Sequence, residues 1–280
     1  MAEYKGIHGT KVQNYTSDPA NPIIGQVWYN ETSQTMKFQY PTTLSSWSTG
    51  GSLNTGRSFV AGAGTQTSAL AFGGTPGTFA VTESYDGTSW TEVNDLNTGR
   101  RSLAGVGADN TSALGFGGYT TTFLSLTEEW NGTSWTEVGD LNTARQLLAG
   151  VGADNTSALG FGGNSPNKAN TESWNGTSWT EVNDLNTGRE SIAGAGTDNT
   201  SAMGFGGGVP PGGPVATELW DGTSWTETTN LNAGRNYMGG AGIQTAALGF
   251  GGETPAGPVT AATEEWTGAG SPTTRTITSS

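Results

Sequence analysis

The sequence predicts an all-β fold built from repeats, and composition is the first reason. Of the 280 residues, 46 are Gly, 32% are hydrophobic and 12% are charged, which is low in both classes for a globular domain. Ten Trp, nine Phe and seven Tyr are nevertheless too many for a disordered chain. No stretch keeps apolar residues at helical spacing without an interrupting Gly, so we expect strands throughout.

The second reason is an internal repeat of about 44 residues. Each of five copies begins with the tag Leu-Asn-x-x-Arg and continues with Phe-Gly-Gly and then a Thr-Glu pair just before Tyr or Trp. Four copies end with Ser-Trp-Thr-Glu. The tags start at Leu53, Leu96, Leu141, Leu185 and Leu231. Repetition at this fidelity predicts one structural unit for each copy.

Each copy predicts four short strands. In the first copy the first strand follows Arg57 in RSFVAGAG, the second is SALAFGG, the third is TESY and the fourth is SWTEV. Asp-Gly or Asn-Gly, which favour tight hairpin turns, join the last two strands. Four antiparallel strands in about 40–50 residues are typical of a β-propeller blade.

The two ends of the chain predict how the ring closes. The fifth copy reaches Trp266 but lacks the Ser-Trp-Thr-Glu strand, whereas Trp47 lies six residues before Leu53, the spacing seen in the other copies. We therefore predict a five-bladed propeller closed by Ser45-Ser46-Trp47-Ser48 as an N-terminal outer strand, with the C-terminal TTRTITSS as the alternative strand. The first strand of each copy is nearly all Gly and Ala, as expected around a narrow channel.

Three parts of the chain follow from this pattern. Residues 1–45 form an N-terminal attachment segment, residues 46–267 the propeller and residues 268–280 a C-terminal tail. Within the first part, Val27-Trp28-Tyr29 and Met36-Lys37-Phe38 predict a β-hairpin across Asn-Glu-Thr-Ser.

The repeated charges predict a structural network. Five of the seven Arg occupy the last position of the tag, and a Glu recurs in every Thr-Glu pair. Because the guanidinium fork suits a carboxylate at a partly buried joint, we expect each Glu to accept hydrogen bonds from an Arg of a neighbouring copy. Five equivalent carboxylates make a poor acid–base site. The inter-blade pairs would use Arg57, Arg100, Arg145, Arg189, Arg235, Glu83, Glu128, Glu172, Glu218 and Glu264.

Composition also excludes several functions. The chain has no Cys and only His8, so we predict no catalytic, metal or cofactor site of the thiolate or multi-His kind. A net charge of −13 argues against nucleic acid, and no apolar run approaches the length of a membrane helix. Asp109, Asp154 and Asp198 are expected to make turns rather than a calcium site.

The loop between Phe-Gly-Gly and Thr-Glu is the variable part of the repeat. Its length and character change among the five copies, while the rest changes little. A variable face on a constant scaffold is a common place for binding, although drift in an unconstrained loop would look the same. Our candidate receptor contacts are Phe79, Tyr119, Phe123 and Lys168.

The Gly pair, the aromatic residue after it, the later Trp and the Arg resemble a kelch repeat over roughly residues 46–266. The copies are shorter, and five blades are fewer than the six or seven typical of kelch rings. The stretches TESWNGTSWTEVNDLNTGR and ADNTSALGFGG are similar to kelch-like structural proteins of marine tailed bacteriophages. Gly25 to Gln39 resembles the Trp-Tyr-Asn hairpin of phage tail and fibre proteins.

These resemblances imply a non-enzymatic virion protein on the tail, fibre or capsid, present in many copies and assembled in the host cytoplasm without a signal peptide. Trp28, Tyr29 and Phe38 would attach it to other virion proteins, and the variable loops would contact a host cell-surface glycan or protein. The alternative is a free lectin-like propeller that binds a small glycan on the Trp and Tyr of each blade. An enzyme would need the Arg cluster and Tyr nucleophile of sialidases or the Cys and His ligands of galactose-oxidase chemistry, and neither set is visible.

Overall fold

The computed structural model describes residues 13–19, 27–38, 49–164, 169–208, 216–255, 257 and 259–268. Every regular element in these ranges is a β-strand. The same ranges contain no helix long and apolar enough to cross a membrane. The chain divides into two compact units, Met1–Thr49 and Gly50–Ser280. The finer boundaries after residues 45 and 267 stay predictions.

The smaller unit contains a three-stranded sheet. Its strands are β1 (Gln13–Tyr15), β2 (Val27–Asn30) and β3 (Thr35–Phe38). Strands β2 and β3 pair antiparallel with Val27 opposite Phe38, which confirms the hairpin predicted across Asn-Glu-Thr-Ser. Strand β1 adds to β2 in parallel, a pairing that nothing in its short sequence indicates.

The larger unit contains five successive antiparallel sheets, one for each copy of the repeat. Sheet 1 holds β4–β7, sheet 2 β8–β11, sheet 3 β12–β15, sheet 4 β16–β19 and sheet 5 β20–β22. The strands are β4 Ala61–Thr65, β5 Ser68–Phe72, β6 Thr82–Tyr85, β7 Trp90–Val93, β8 Ala104–Asp109, β9 Ser112–Phe116, β10 Thr127–Trp130, β11 Trp135–Glu137, β12 Ala149–Asp154, β13 Ser157–Phe161, β14 Thr171–Trp174, β15 Trp179–Val182, β16 Ala193–Asp198, β17 Ser201–Phe205, β18 Thr217–Trp220, β19 Trp225–Glu227, β20 Gly239–Ile243, β21 Ala246–Phe250 and β22 Thr263–Thr267.

The strand prediction is confirmed in four copies, where the four segments pair in chain order. Sheet 5 has three strands, and within the described residues β22 pairs only with β21. Repeated four-stranded antiparallel sheets in an all-β chain give a β-propeller-like fold. Trp47 and the C-terminal tail, which carry the predicted closure, lie outside the described residues.

Glycine in the second and first strands lets one sheet pack on the next. A Cβ at Gly160 would lie 2.9 Å from Cε2 of Phe116, and one at Gly150 would lie 2.9 Å from Cζ of the same ring. Both glycines are in sheet 3 and the ring is in sheet 2. The small residues that we expected around a channel therefore have a local reason, which is the aromatic ring of the preceding sheet.

A ladder of backbone hydrogen bonds also crosses the sheets. Ser102 N donates to Phe59 O at 3.1 Å, Leu147 N to Ser102 O at 2.9 Å, Ser191 N to Leu147 O at 2.9 Å and Tyr237 N to Ser191 O at 3.3 Å. All five residues have φ of 52–55°, an uncommon conformation for residues with a side chain. The conformation recurs because each of these residues links one sheet to the next.

Candidate functional site

The repeated Arg and Glu form five ion pairs, and each pair lies within one copy. Arg57 Nη2 is 3.2 Å from Glu83 Oε1, and Arg189 Nη2 is 2.8 Å from Glu218 Oε1. The same contact joins Arg100 to Glu128, Arg145 to Glu172 and Arg235 to Glu264. We expected the partner in a neighbouring copy. The tag instead stands directly before the first strand of its own sheet, so the guanidinium reaches the third strand of that sheet.

Backbone carbonyls share each guanidinium. Arg189 Nη1 donates to Gly206 O at 3.0 Å and to Ala216 O at 2.6 Å, and its side chain is fully buried. Burial lowers the pKa of Arg100, Arg145 and Arg189, whereas the paired carboxylates oppose that shift. Arg57, Arg145, Arg189 and Arg235 thus fasten the start of a sheet to the loop that leaves its second strand, whereas the carbonyls that accept from Arg100 are those of Thr98 and Gly115.

The Asn of the tag donates hydrogen bonds to the second oxygen of each carboxylate, the one that does not pair with the Arg. Asn142 donates from its backbone N at 2.6 Å and from Nδ2 at 2.9 Å to Glu172 Oε2. Its Nδ2 also donates to Trp179 O at 3.2 Å. Sequence reasoning missed this Asn, although its recurrence beside Leu in every tag is the signal that could have found it. With both carboxylate oxygens engaged and the side chain buried, Glu172 has no free atom for a substrate.

The repeated Trp residues join one sheet to the next. Trp179 Nε1 in sheet 3 donates to Thr127 Oγ1 in sheet 2 at 2.9 Å, and its ring centroid is 4.7 Å from that of Phe116. Trp135 makes the same contacts with Thr82 and Phe72, and Trp225 with Thr171 and Phe161. Trp130, Trp174 and Trp220 in the third strands are almost fully buried, so no sugar can stack on their faces.

The Asp side chains in three turns accept hydrogen bonds from a Thr of the same turn. Asp109 Oδ1 accepts hydrogen bonds from Thr111 N and Thr111 Oγ1, both at 2.7 Å. Asp154 and Asp198 do the same with Thr156 and Thr200. These hydrogen bonds lower the pKa of Asp109, Asp154 and Asp198. The turn interpretation from the sequence therefore accounts for all three residues.

The variable loops stand at the same place in each sheet. Each begins beside the residue that follows the tag Arg, through short bridges such as Arg101 with Tyr119 and Asn236 with Glu253. The Gly pair before the loop has positive φ in every sheet, which turns the chain out of the second strand. The most variable segment of the repeat thus begins at an equivalent position in each sheet.

The loop of sheet 2 carries an aromatic cluster. The rings of Tyr119 and Phe123 are 5.8 Å apart, and the two residues are bridged through their backbones. The guanidinium of Arg101 lies 5.3 Å from the Tyr119 ring centroid, in a cation–π contact. Tyr119 and Phe123 are both half-buried. The cluster presents two aromatic rings and one cation, and Arg101 is the member that the sequence did not single out.

The other two candidate contacts are not part of this cluster. Phe79 is half-buried in the loop of sheet 1, where its backbone N donates to Gly74 O and its O accepts from Arg100 N. Lys168 lies outside the described residues. Whether Phe79, Tyr119, Phe123 or Lys168 contacts a receptor stays a prediction.

The attachment residues differ in exposure. Trp28 is 4% exposed, and its Nε1 donates to Asp18 Oδ1 at 3.1 Å. Lys37 Nζ lies 2.6 Å from Asp18 Oδ2, and the hydrogen bonds from Lys37, Asn30 and Trp28 lower the pKa of Asp18 to about 2. Trp28 therefore holds its own sheet together rather than offering a contact. Tyr29 is half-buried, and Phe38 ends strand β3.

A pocket opens on sheet 5. Phe205, Thr217, Leu231, Asn232, Leu248 and Trp266 are among the residues that line it. Phe205 and Thr217 correspond to Phe116 and Thr127 in sheet 2, which receive a Trp of the next sheet. The described parts of sheet 5 contain no such Trp, because this sheet ends at β22.

Within the described residues, no group of three or more His, Cys, Asp or Glu side chains could hold a metal ion. In comparisons with known proteins, no protein-family model matches the chain and no curated protein shows significant similarity.

Proposed function

We propose that this chain is a non-enzymatic structural protein of a bacteriophage virion that presents variable loops to the surface of the host cell. The observation that carries the proposal is the contrast within each repeat. Recurring charged and aromatic residues of the frame form buried pairs such as Arg145–Glu172 and Trp179–Thr127, while the segment that differs most among the copies is one loop in each sheet. Such a frame suits display, because a loop can change without disturbing its support.

The scaffold of this proposal is a five-bladed, kelch-like propeller. Five tags, five sheets and the missing fourth strand of sheet 5 support it, together with Ser45-Ser46-Trp47-Ser48 at the spacing of an outer strand. The resemblance of the repeat wording and of Gly25–Gln39 to phage structural proteins supports the virion. Attachment to other virion proteins would use Tyr29 and Phe38, since Trp28 is buried.

Host contact falls first on the loop of sheet 2. Tyr119, Phe123 and Arg101 form its cluster, and half-buried aromatic rings beside a cation are frequent anchors at interfaces. A lectin with one glycan site in each blade is less well supported, because the repeated Trp130, Trp174 and Trp220 are buried.

Electron microscopy of purified phage particles with an antibody against the chain tests this proposal. Label at a tail tip or fibre would support host attachment, and label over the head would support decoration of the capsid. Adsorption of particles that carry Tyr119→Ser and Phe123→Ser is then expected to fall at least tenfold, with Tyr85→Ser in a sheet as the matched aromatic control. The absence of label from every particle would overturn the virion assignment.

A further inference from the structure

The variable loop of sheet 2 is a short hairpin that holds three side chains in a row. Arg101 N donates to Tyr119 O at 3.1 Å and Tyr119 N donates to Arg101 O at 2.9 Å, so these residues form a hydrogen-bonded pair. Tyr119 also pairs with Phe123, and backbone hydrogen bonds of 3.0 and 3.2 Å flank that pair. Directly opposed residues place their side chains on the same face. The guanidinium of Arg101 and the rings of Tyr119 and Phe123, here called the sheet-2 row, therefore lie side by side at 5.3 and 5.8 Å.

The frame of the repeat does not require the sheet-2 row. The same backbone bridge between the residue after the tag Arg and the start of the variable loop occurs in all five sheets, with a different pair of residues each time. The counterparts are Ser58–Thr75, Gln146–Asn164, Glu190–Gly208 and Asn236–Glu253. Because the bridge forms with and without charges and rings, the cation and the aromatic rings of sheet 2 are not explained by the fold.

The polar groups of the row have no use inside the described molecule. Within the described residues, every other Lys or Arg forms an ion pair, namely Lys37, Arg57, Arg100, Arg145, Arg189 and Arg235. Arg101 forms none, and neither its guanidinium nor the Tyr119 hydroxyl makes a hydrogen bond to a described residue. Stacking on a ring leaves the N–H edge of a guanidinium available, and that edge fits a carboxylate in a bidentate manner.

The row is ordered before any ligand arrives. Two backbone bridges fix Arg101, Tyr119 and Phe123 relative to one another, and all three residues are half-buried. A site whose side chains are already ordered loses less conformational entropy on binding. The row therefore combines a preorganised cation, a free hydroxyl and an apolar surface.

The size of the row favours a sugar over a protein as its ligand. Three side chains cover about the area of one pyranose ring, whereas a stable protein interface buries about 800 Å² on each partner. A pyranose has an apolar C–H face that packs on an aromatic ring, and hydroxyls that bond to a polar group at its edge. The unpaired guanidinium adds a preference for a negative charge on that sugar.

We propose that the sheet-2 row binds one sugar ring that carries a carboxylate. The carboxylate would bond to the Arg101 guanidinium and a ring hydroxyl to the Tyr119 hydroxyl, while the apolar face packs against Phe123. This inference rests on the host contact of the proposed function and names its ligand as an acidic glycan. It differs from a lectin with one site in each blade, because among the described residues no other sheet pairs a cation with a ring at this bridge.

Titration of the purified full chain with two trisaccharides tests the site. One consists of galacturonic acid and the other of galactose in the same linkage, so they differ only in the carboxylates. We expect the acidic trisaccharide to bind at least tenfold more tightly and Arg101→Gln to remove this preference. A net charge of −13 gives no general attraction for an anion, so the preference depends on Arg101. Equal affinities for the two sugars, or no binding of the acidic one, would overturn the proposal.

The variants are taken from the repeat itself, which protects the fold. Sheet 3 has Gln at the position of Arg101 and Asn164 at the position of Tyr119. Tyr119→Asn is expected to weaken binding of both trisaccharides, because the hydroxyl and the ring under the guanidinium are lost. Ala153→Glu changes the net charge as much as Arg101→Gln does, at an exposed position near the end of β12, and is expected to leave both affinities unchanged. A loss in Ala153→Glu as large as that in Arg101→Gln would contradict a local site.

A second readout follows the guanidinium directly. In ¹⁵N-labelled protein, the side-chain Nε signal of Arg101 is identified by its absence from Arg101→Gln. The acidic trisaccharide is expected to shift this signal and to leave the Nε signals of the five buried Arg unchanged. Shifts that spare Arg101 would place the sugar elsewhere and overturn the assignment.

A peptide separates the two classes of ligand. Acetylated and amidated triglutamate presents carboxylates without a sugar ring, and binding weaker than that of the acidic trisaccharide supports the glycan. Binding as tight as or tighter than that of the sugar would make the partner an acidic protein and overturn the commitment to a glycan. None of these measurements uses phage particles, so failure here is distinguishable from failure of the labelling test.

Discussion

Sheet 3 and sheet 5 have nearly the same sequence but very different surroundings. Ser157–Phe161 reads SALGF and Ala246–Phe250 reads AALGF, and both pair with a following Thr-Glu strand. Leu159 and Phe161 are 0% exposed, whereas Leu248 is 39% and Phe250 42% exposed. Local sequence is therefore not what buries these side chains. A repeat of this kind buries its apolar face only when the next repeat stands against it.

The ion pairs show the same difference. The Arg145–Glu172 pair in sheet 3 is completely buried, whereas Glu264 in sheet 5 keeps 18% of its side chain exposed. Both pairs have the same hydrogen bonds from the tag Asn. If the Arg is removed, water can therefore solvate part of the Glu264 carboxylate in sheet 5, whereas it cannot reach the Glu172 carboxylate in sheet 3.

Among the changes that test this comparison, loss of one buried Arg is expected to lower the free energy of unfolding the most. Arg145→Met leaves the Glu172 carboxylate buried without its cation, and we expect the free energy of unfolding to fall by about 3–5 kcal/mol. Arg235→Met is expected to cost less than half of that, because Glu264 reaches solvent. Urea unfolding followed by Trp fluorescence measures both. Equal losses would show that burial by the neighbouring sheet does not set the energy of the pair.

Truncation of the packed ring comes next. Phe161→Ala removes a fully buried ring that stacks on Trp225, for an expected loss of about 3–4 kcal/mol. Phe250→Ala, its match in sheet 5, is expected to cost about 1 kcal/mol, because the Phe250 ring is 42% exposed. A loss at Phe250 as large as that at Phe161 would contradict the exposure of the Phe250 ring.

Acid is expected to have the smallest effect. Burial opposes ionisation of Glu264, but hydrogen bonds from Asn232 and Arg235 outweigh it and lower the pKa of Glu264. A carboxylate with a lowered folded pKa contributes fully above its unfolded pKa of about 4.3, and this contribution is lost as pH falls through the folded pKa. The difference in Tm between the wild type and Glu264→Gln should therefore be constant from about pH 7 to 5 and shrink below about pH 4. A difference that does not change with pH would contradict this role of Glu264.

Prediction from sequence succeeded where the information is local. The alternation and turns around Trp28 and Lys37 specify a hairpin, and the Asp-Gly and Asn-Gly steps specify the turn before the fourth strand. It failed for the partner of Arg145, because spacing alone does not tell whether a guanidinium reaches its own sheet or the next one. Arg101 escaped notice as well, since its contact with Tyr119 depends on a bridge between two distant segments.

The sequence by itself determined the all-β class, the five copies, the strands in each copy and the loop where the copies differ, because these depend on residues close together along the chain. Only the tertiary structure decided which Arg pairs with which Glu, why the glycines are needed and which of two nearly identical sheets is buried. These properties depend on the neighbouring sheet. Phe161 and Phe250 differ in exposure because another sheet covers the first ring and leaves the second uncovered.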